Sequence, residues 1–348
     1  MPRTAEIYGK QFLTGVSLQN QDIRCPYMAA ECDGGGNRHQ TAIDPLQYAQ
    51  ATRLLPSQKL VSAAICSIQT QEPEPWIVCP RRLLNLHQVP VNQYQSALFE
   101  HLLTLFGFTG KQIAIWREVT WKKKGIDGDT DFDYRFDYII APVESITFKQ
   151  AAKELGRDVK DFAALRGLVV NESSQTVMFP TRGVGVVEIM TSSTSSSNKK
   201  LGNTISNAFV NSITGIDHQA PGINKRQVWA RMVSQLIAKS EMGLAWGGNT
   251  VWVLQKNLVD YIGNATGLPL HEYETRALSE VNILSASVEF GENGEVGSIG
   301  SPKLFAGLIG GGKERGFIDI VRSPSIPSRA ELNYALLDQP HKPLIINT

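Results

Sequence analysis

The sequence predicts an α/β protein that begins with a cysteine-bearing element. Two observations support this prediction. Helix and strand patterns alternate along residues 96–260, which is the order expected of an α/β protein. All four cysteines of the 348-residue chain precede residue 80. We therefore divide the chain into a cysteine element (residues 1–95), a core (96–260) and a C-terminal extension (261–348).

The cysteine element is predicted to contain a helix near DPLQYAQATRLL. Asp44 suits the N-cap position, because its carboxylate can accept a hydrogen bond from an unpaired backbone N–H of the first turn. Pro45 suits the first helical position, where no backbone N–H is needed. A helix is therefore expected to separate the first two cysteines from the last two.

The core alternates helices and strands. A helix is predicted at YQSALFEHLLTLFGF from its 3.6-residue period, and a strand at KQIAIWREVTW from its alternation. Further strands follow at RFDYIIAPV and GVGVVEIM, with a single amphipathic helix between them at FKQAAKELGRDVKDFAALRGL. A long helix at NKRQVWARMVSQLIAKSEMG precedes a strand and turn at VWVLQKNLVDYI. The C-terminal extension is rich in Gly, Ser and Pro, which predicts short strands and loops.

Composition excludes few function classes. The content of 42% hydrophobic and 19% charged residues is that of a globular protein, and the formal net charge of +1 indicates no general polyanion binding. Basic residues are nevertheless concentrated locally, at Lys111, Arg117 and residues 122–124, and again at Lys199 and Lys200. A solvated face would also explain each cluster. Because no apolar run is long enough to span a bilayer and no targeting signal is evident, we expect a cytoplasmic protein without membrane contact.

The four cysteines predict a metal site. In a reducing compartment free thiols are expected rather than disulfides. The pairs Cys25 with Cys32 and Cys66 with Cys79 enclose six and twelve residues, and together they offer four soft ligands to a tetrahedral ion such as iron or zinc. Four protein ligands leave no open position, so the role would be structural. The alternative is four small buried hydrophobic residues.

Two carboxylates interrupt apolar strands. Asp137 lies in FDYII and Glu188 lies in VGVVEIM. Burying a carboxylate costs several kcal/mol unless a cation or hydrogen bonds compensate. Two such groups on successive strands could bind Mg²⁺, together with the backbone carbonyl of Ile189, and a metal-bound water would then attack a phosphodiester in line. The alternative is that both carboxylates sit at strand ends and face solvent.

Several segments, taken together, carry a family resemblance. The chain contains CPYMAA, WIVCPRRLL, FDYIIAPVES and GVVEIMT in this order. Over roughly residues 20–260 it resembles the NotI family of type II restriction endonucleases. The resemblance implies a PD-(D/E)xK nuclease core, with a mixed sheet flanked by helices, and a four-cysteine element that holds iron. It also implies a prokaryotic homodimer that cuts a palindromic, GC-rich site in double-stranded DNA using Mg²⁺.

The resemblance assigns Asp137 and Glu188 as the acidic metal ligands, and the four cysteines as ligands of the structural metal. The third signature position, normally Lys or Gln, is Met190 here, and a thioether cannot donate a hydrogen bond to the attacking water. Lys199 is the best substitute, because a lysine stands at the corresponding downstream place in the family. Thr191 is a further alternative.

The remaining assignments concern DNA. Glu118 is either an auxiliary acid of the nuclease site or a surface residue paired with Arg117 or Lys122. Candidate contacts to DNA are Arg182, Lys122, Lys123 and Lys200. About thirty residues, 148–178, have no counterpart in the family pattern and are expected to decorate the dimer surface or to widen the DNA contact. The C-terminal extension completes either the core or the DNA-binding surface. Because of Met190, a non-catalytic DNA-binding protein on a degenerate nuclease fold is the alternative function.

Overall fold

The computed structural model describes residues 1–11, 24–34, 42–44, 60–88, 93–124, 131–171, 175–181, 183–194, 203–266, 270–289, 298–309 and 327–347. The helix predicted after Asp44 lies outside these ranges. None of the helices within them combines the length and the apolar composition needed to cross a bilayer.

The described N-terminal residues form short strands and one helical turn. These elements are β1 (Arg3–Ile7), β2 (Lys10–Gln11), β3 (Arg24–Cys25), β4 (Ala30–Glu31), β5 (Ala42–Ile43), β6 (Val61–Ser62), β7 (Ile65–Gln69), β8 (Trp76–Ile77) and α1 (Pro80–Leu83). Four of the strands make a small sheet of order β2-β1-β7-β8. Pro80 at the start of α1 has a fixed φ that suits a first helical residue, and it directly follows Cys79.

The central elements include the longest strands and helices. They are α2 (Gln93–Phe106), β9 (Gln112–Lys124), β10 (Asp131–Thr147), α3 (Phe148–Glu154), α4 (Val159–Ala163), β11 (Val170–Asn171), β12 (Thr176–Pro180), β13 (Gly185–Met190), α5 (Ile205–Thr214), α6 (Lys225–Ala245), β14 (Asn249–Gln255) and α7 (Lys256–Thr266).

The C-terminal elements extend the same sheet. They are a 3₁₀ turn (Leu270–Tyr273), β15 (Glu274–Thr275), β16 (Val281–Ala286), β17 (Val288–Glu289), β18 (Ser298–Ile299), β19 (Lys303–Gly307), α8 (Arg329–Leu337) and β20 (Leu344–Asn347). Of these, β15, β16, β19 and β20 join the central strands in one ten-stranded sheet. The C-terminal extension thus contributes directly to the core.

The central sheet is mixed. Eight of its strands have the order β11-β12-β10-β13-β14-β16-β19-β15. The other two lie outside this order: β9 pairs with β10, and β20 pairs with β9. Strand β13 is parallel to β14, and β14 is parallel to β16. The other pairings of the sheet are antiparallel. The fold is therefore a mixed α/β architecture with a large sheet flanked by helices.

Each face of the sheet is covered by helices. Leu102 and other apolar residues of α2 pack on one face, against residues such as Ile115 and Val251. The opposite face is covered by α6, α7 and α8, where Trp252 packs beside Met232. Because neighbouring residues of a strand point to opposite faces, the apolar strand β14 serves both layers.

Most predicted core elements are confirmed, and two predictions are wrong. The single helix expected between β10 and β13 is two short helices, because Gly156 adopts a left-handed φ of 60° and Asp158 caps a new helix. The turn expected after β14 is helix α7. The extension, predicted as strands and loops, also contains α8, which begins with a capping box between Ser328 and Glu331.

Candidate functional site

Strands β10 and β13 separate where the two predicted carboxylates stand. Their antiparallel ladder extends to the pair of Tyr138 with Val187, and the described residues form no pair beyond it. There the Asp137 side chain takes the place of a ladder partner, because its Oδ2 accepts a hydrogen bond from the backbone N–H of Ile189 at 2.8 Å. Glu188 stands opposite Asp137 in the continued register. We call this place, formed by Asp137, Glu188 and Ile189, the fork.

The backbone is irregular beside the fork. Glu118 of β9, opposite Asp137 in register, has a φ of 50°, which is unusual for a residue other than glycine. Both strands also shift their side-chain alternation by one residue at this level. In a regular strand, side chains on one face are two residues apart. Here they are three apart: Trp116 and Val119 of β9 lie on one face, as do Phe136 and Ile139 of β10. Such departures from regular geometry persist where the surrounding structure enforces them, and they concentrate at functional sites.

Lys239 reaches the fork from helix α6. Its Nζ lies 2.5 Å from Glu188 Oε2, and the two side chains are only 4% and 5% exposed. The same ammonium donates to the carbonyl oxygen of Arg135 at 2.7 Å. It also stands over the rings of Phe136 and Trp252. A lysine has three N–H donors, so one donor remains after these two hydrogen bonds within the described part of the chain.

Burial dominates the electrostatics of the fork. It raises the pKa of Glu188 to about 8, with a further increase from Asp137, although Lys239 acts in the opposite direction. Burial likewise raises the pKa of Asp137, against the effects of the Ile189 N–H and of Lys239. Both carboxyl groups therefore resist ionisation, as expected when two acids lie close together and only one ammonium is near them.

The residues of the fork fit a divalent cation. Glu188 Oε1 is buried and has no hydrogen-bond partner among the described residues. Because the N–H and C=O of a strand residue in an antiparallel ladder point to the same neighbour, the Ile189 carbonyl is directed towards the strand of Asp137. The fork thus combines two carboxylates and one carbonyl, which are the hard oxygen donors that Mg²⁺ prefers.

The residue at the third signature position belongs to the core. Met190 packs against an apolar cluster on the α6 side of the sheet, together with Trp252 and Leu254. Thr191, one of the proposed substitutes, donates its hydroxyl to the carbonyl of Val78. Lys199, the other substitute, lies outside the described residues. Within the described part of the chain, the ammonium at the fork comes from Lys239.

The other predicted residues are placed as follows. Glu118 pairs with Arg135 at 2.7 Å, and not with Arg117 or Lys122 as expected of a surface glutamate. Lys122 is exposed and lies 3.9 Å from Asp133. For the remaining candidates no side-chain position is described: Lys123, Arg182 and Lys200.

The four cysteines pack together. Cys25, Cys66 and Cys79 are buried in one cluster, against which Cys32 is partly buried. All four are free thiols. Two sulfur atoms accept backbone hydrogen bonds, Cys66 from Gly9 at 3.2 Å and Cys32 from its near neighbour Gly34 at 3.4 Å. The fold thus brings together thiols that are far apart in sequence, as the prediction of a shared site requires.

The cysteine cluster fits a soft metal by its donors. Burial raises the pKa of Cys25 to about 11 and that of Cys32 to about 12. The hydrogen bond between Cys66 and Cys79 raises the pKa of the first thiol and lowers that of the second. Among the described residues, no group of three or more His, Cys, Asp or Glu side chains has the geometry of a metal site. The thiols are neighbours that a metal would deprotonate and draw together.

The cysteine element is hydrogen-bonded to strand β13, which carries Glu188. Just after β13, the backbone N–H of Ser192 donates to the carbonyl of Ile77 at 3.0 Å. The N–H of Ile77 in turn donates to Gln255 Oε1 at 2.8 Å. The segment that leads to Cys79 is therefore fixed to the ends of both β13 and β14.

Lys239 is the site residue that sequence reasoning missed. It occupies the buried stripe of α6, between the core residues Met232 and Met242. A lysine within such an apolar stripe needs a buried anion or carbonyl as its partner. The lysine in the stripe is therefore a signal that can be read from the sequence. The partner itself, 51 residues away, gives no local signal.

The fork offers two carboxyl groups, of which Glu188 is buried and Asp137 half-buried, and an ammonium with a remaining donor. Such a set can hold a cation and a water against a phosphodiester. The cysteine cluster offers four soft donors that stabilise a loop-rich segment. Comparison with family models, with curated proteins and with solved structures finds no match to this chain.

Proposed function

We propose that this chain is a Mg²⁺-dependent endonuclease with a PD-(D/E)xK-like site, in which Asp137, Glu188 and Lys239 carry the chemistry. The observation that supports this most directly is the meeting of a buried carboxylate, a half-buried carboxylate and a buried ammonium where β10 and β13 separate. Asp137 and Glu188, with the Ile189 carbonyl, would hold the metal. When bound, Mg²⁺ supplies charge that offsets the phosphate and acidifies a water.

The residues of the chain have separate tasks in this proposal. Lys239 fixes Glu188 Oε2 and offers its remaining N–H to the attacking water. The Ile189 N–H orients Asp137 through Oδ2, which leaves the other oxygen for the metal. In the four-cysteine cluster, iron or zinc would hold in place the segment before Cys79, which is hydrogen-bonded to the end of β13. A homodimer acting on a palindromic, GC-rich duplex is the form that the family resemblance implies, and it belongs to the proposal.

The test is cleavage of genomic and plasmid DNA by the purified chain in Mg²⁺, with EDTA as the blank. We expect discrete fragments from the wild type and none from Asp137→Asn, which retains DNA binding. Asp133→Asn is the matched control, because Asp133 lies on the same strand but is 54% exposed and pairs only loosely with Lys122. Equal cleavage by wild type and Asp137→Asn would refute the assignment of the fork.

A non-catalytic DNA-binding protein is the second candidate. Two observations favour it: Met190 lies in the apolar cluster where a polar group is usual, and burial raises the pKa of Glu188 to about 8. A carboxyl group that stays protonated at neutral pH is a poor metal ligand. Specific duplex binding without cleavage in Mg²⁺ or Mn²⁺ would establish this function instead.

A further inference from the structure

A histidine lies between two arginines close to the fork. His87 Nε2 lies 2.6 Å from Arg81 Nη1, and His87 Nδ1 lies 3.2 Å from Arg117 Nη1. A neutral imidazole has one acceptor nitrogen and one N–H. The ring can therefore accept a hydrogen bond from only one of the two arginines, and the other guanidinium directs an N–H at a second donor. This arrangement leaves hydrogen-bond donors in excess.

The charges at this place are incompletely compensated. Arg81 has one carboxylate partner, Asp33, at 3.3 Å. Arg117 has no Asp or Glu partner at salt-bridge distance among the described residues, and its neighbour Glu118 is turned to Arg135. Burial and the two guanidinium groups lower the pKa of His87 to about 4, so the ring stays neutral. The two arginines thus bring more positive charge than Asp33 balances.

The cluster adjoins the catalytic strand. Arg81 Nη1 lies 3.3 Å from the hydroxyl of Tyr138, the residue after Asp137. Arg117 stands opposite Tyr138 in the ladder of β9 with β10, so the two side chains share a face of the sheet. The charge of Arg81 also acts on Asp137, whose pKa it lowers against the larger effect of burial. Tyr138 belongs to the apolar cluster on the α2 side of the sheet, so a ligand held here would lie on that side, beside the residue that follows Asp137.

The cluster is open to a ligand. Arg81 is nearly buried, whereas His87 and Arg117 are partly exposed. A guanidinium presents its N–H donors in a planar group that matches two oxygens of a phosphate. Arg117 Nη1 also donates to the backbone carbonyl of His87 at 3.5 Å, but a guanidinium has five N–H donors. An anion that accepted from Arg117 would pair the N–H groups that His87 does not, while Arg81 and His87 fix the arginine in position.

We propose that Arg81, His87 and Arg117 form a phosphate-binding site that holds the DNA backbone next to the bond to be cleaved. The identity of the ligand as DNA rests on the proposed function. Arg117 contacts the phosphate, and Arg81 and His87 are positioning residues. The geometry thereby gives a role to one basic residue of the segment 111–124.

The experiment measures binding of a fluorescent random-sequence DNA duplex by anisotropy, in the Asp137→Asn background so that the probe stays intact. Binding is titrated at several salt concentrations. Arg117→Ala should weaken binding and reduce the slope of log K against log salt by about one phosphate contact. Arg117→Lys should keep the slope, because it keeps the charge, yet bind less tightly because the planar group is lost.

The matched control is Arg276→Ala, since Arg276 is exposed and is not among the candidate contacts to DNA. If Arg117→Ala binds like Arg276→Ala, with an unchanged salt slope, the phosphate site is refuted even where the wild type cleaves DNA. If the wild type never cleaves but Arg117→Ala lowers the slope, the phosphate site stands and the nuclease proposal fails. Arg117→Gln repeats the test should the alanine variant not fold.

Discussion

Lys239 and Glu188 form an ion pair of 2.5 Å in which both side chains are almost completely buried. The lysine comes from helix α6 and the glutamate from strand β13, so the pair fixes the helix against the sheet at the fork. A buried pair of this kind contributes little net stability, but removing one partner leaves an uncompensated charge. Its removal therefore tests structure and chemistry together, and the two must be separated.

The first prediction concerns Lys239→Met. We expect cleavage to fall by at least about a hundredfold, the scale for one positioned proton-transfer or electrostatic group. Unfolding should become easier by about 1–3 kcal/mol, because the buried Glu188 carboxyl, whose pKa of about 8 keeps it largely protonated at neutral pH, loses its hydrogen-bond donor. Cleavage of DNA in Mg²⁺ and denaturant unfolding measure the two effects.

A double variant separates these effects. Lys239→Met combined with Glu188→Gln removes both charges and should regain most of the lost stability, yet stay inactive. Arg231→Ala, on the exposed face of the same helix, is the control and should resemble the wild type. An active double variant would mean that the fork does not carry the chemistry.

The second prediction concerns Met190. Met190→Lys would restore the usual lysine of the nuclease signature, but the side chain packs against an apolar cluster that includes Trp252. We expect no gain in rate and a loss of stability, since a lysine buried there would be unpaired. Met190→Leu should change stability by less than about 1.5 kcal/mol. A Met190→Lys variant that cleaved DNA faster than the wild type would show that this position, and not Lys239, orients the attacking water.

The third prediction concerns the cysteines. Purified protein should contain one iron or zinc ion per chain, measured by elemental analysis, and Cys66→Ser should lose it along with thermal stability. A metal must deprotonate thiols whose pKa burial raises, such as those of Cys25 and Cys32, so metal uptake should weaken as pH falls. Metal-free protein with a Cys66→Ser variant as stable as wild type would contradict the site.

The fourth prediction concerns His87 and pH. Its pKa is lowered from 6.5 to about 4 in the folded chain, so between these values the unfolded state binds more protons. Stability should therefore fall as the pH falls from 6.5 towards 4. His87→Gln should lack this component, while the carboxylates titrate equally in both proteins. Denaturant unfolding across this range measures it, and identical pH profiles of variant and wild type would disprove it.

The sequence predicts the parts of the fold that have local patterns. Helices α2 and α6 and strand β9 follow from periodicity, and strands β10 and β13 from runs of apolar residues. The meeting of Asp137 and Glu188 was also expected, because two carboxylates in apolar strands need shared compensation. Helix α7 was missed because a strand and a helix follow each other without a turn residue between Gln255 and Lys256.

Other features depend on distant partners. Nothing near Lys239 in the sequence identifies Glu188 as its partner. The left-handed conformation of Glu118 is also not predictable, because it occurs at a residue other than glycine. His87 lies in a loop, between Arg81 of the helical turn α1 and Arg117 of strand β9. Such relationships arise from tertiary packing, which single-sequence patterns do not encode.

The hydrogen bonds of Gln255 bear on how the chain assembles. Its side chain contacts the backbone of Pro75 and Ile77, about 180 residues earlier in the sequence. During synthesis, the segment before Cys79 therefore emerges long before β14 can support it. Contacts of such large sequence separation slow folding. The thiols of the growing chain must stay reduced until residue 255 has been made. We therefore expect an oxidising medium during synthesis to lower the yield of folded protein.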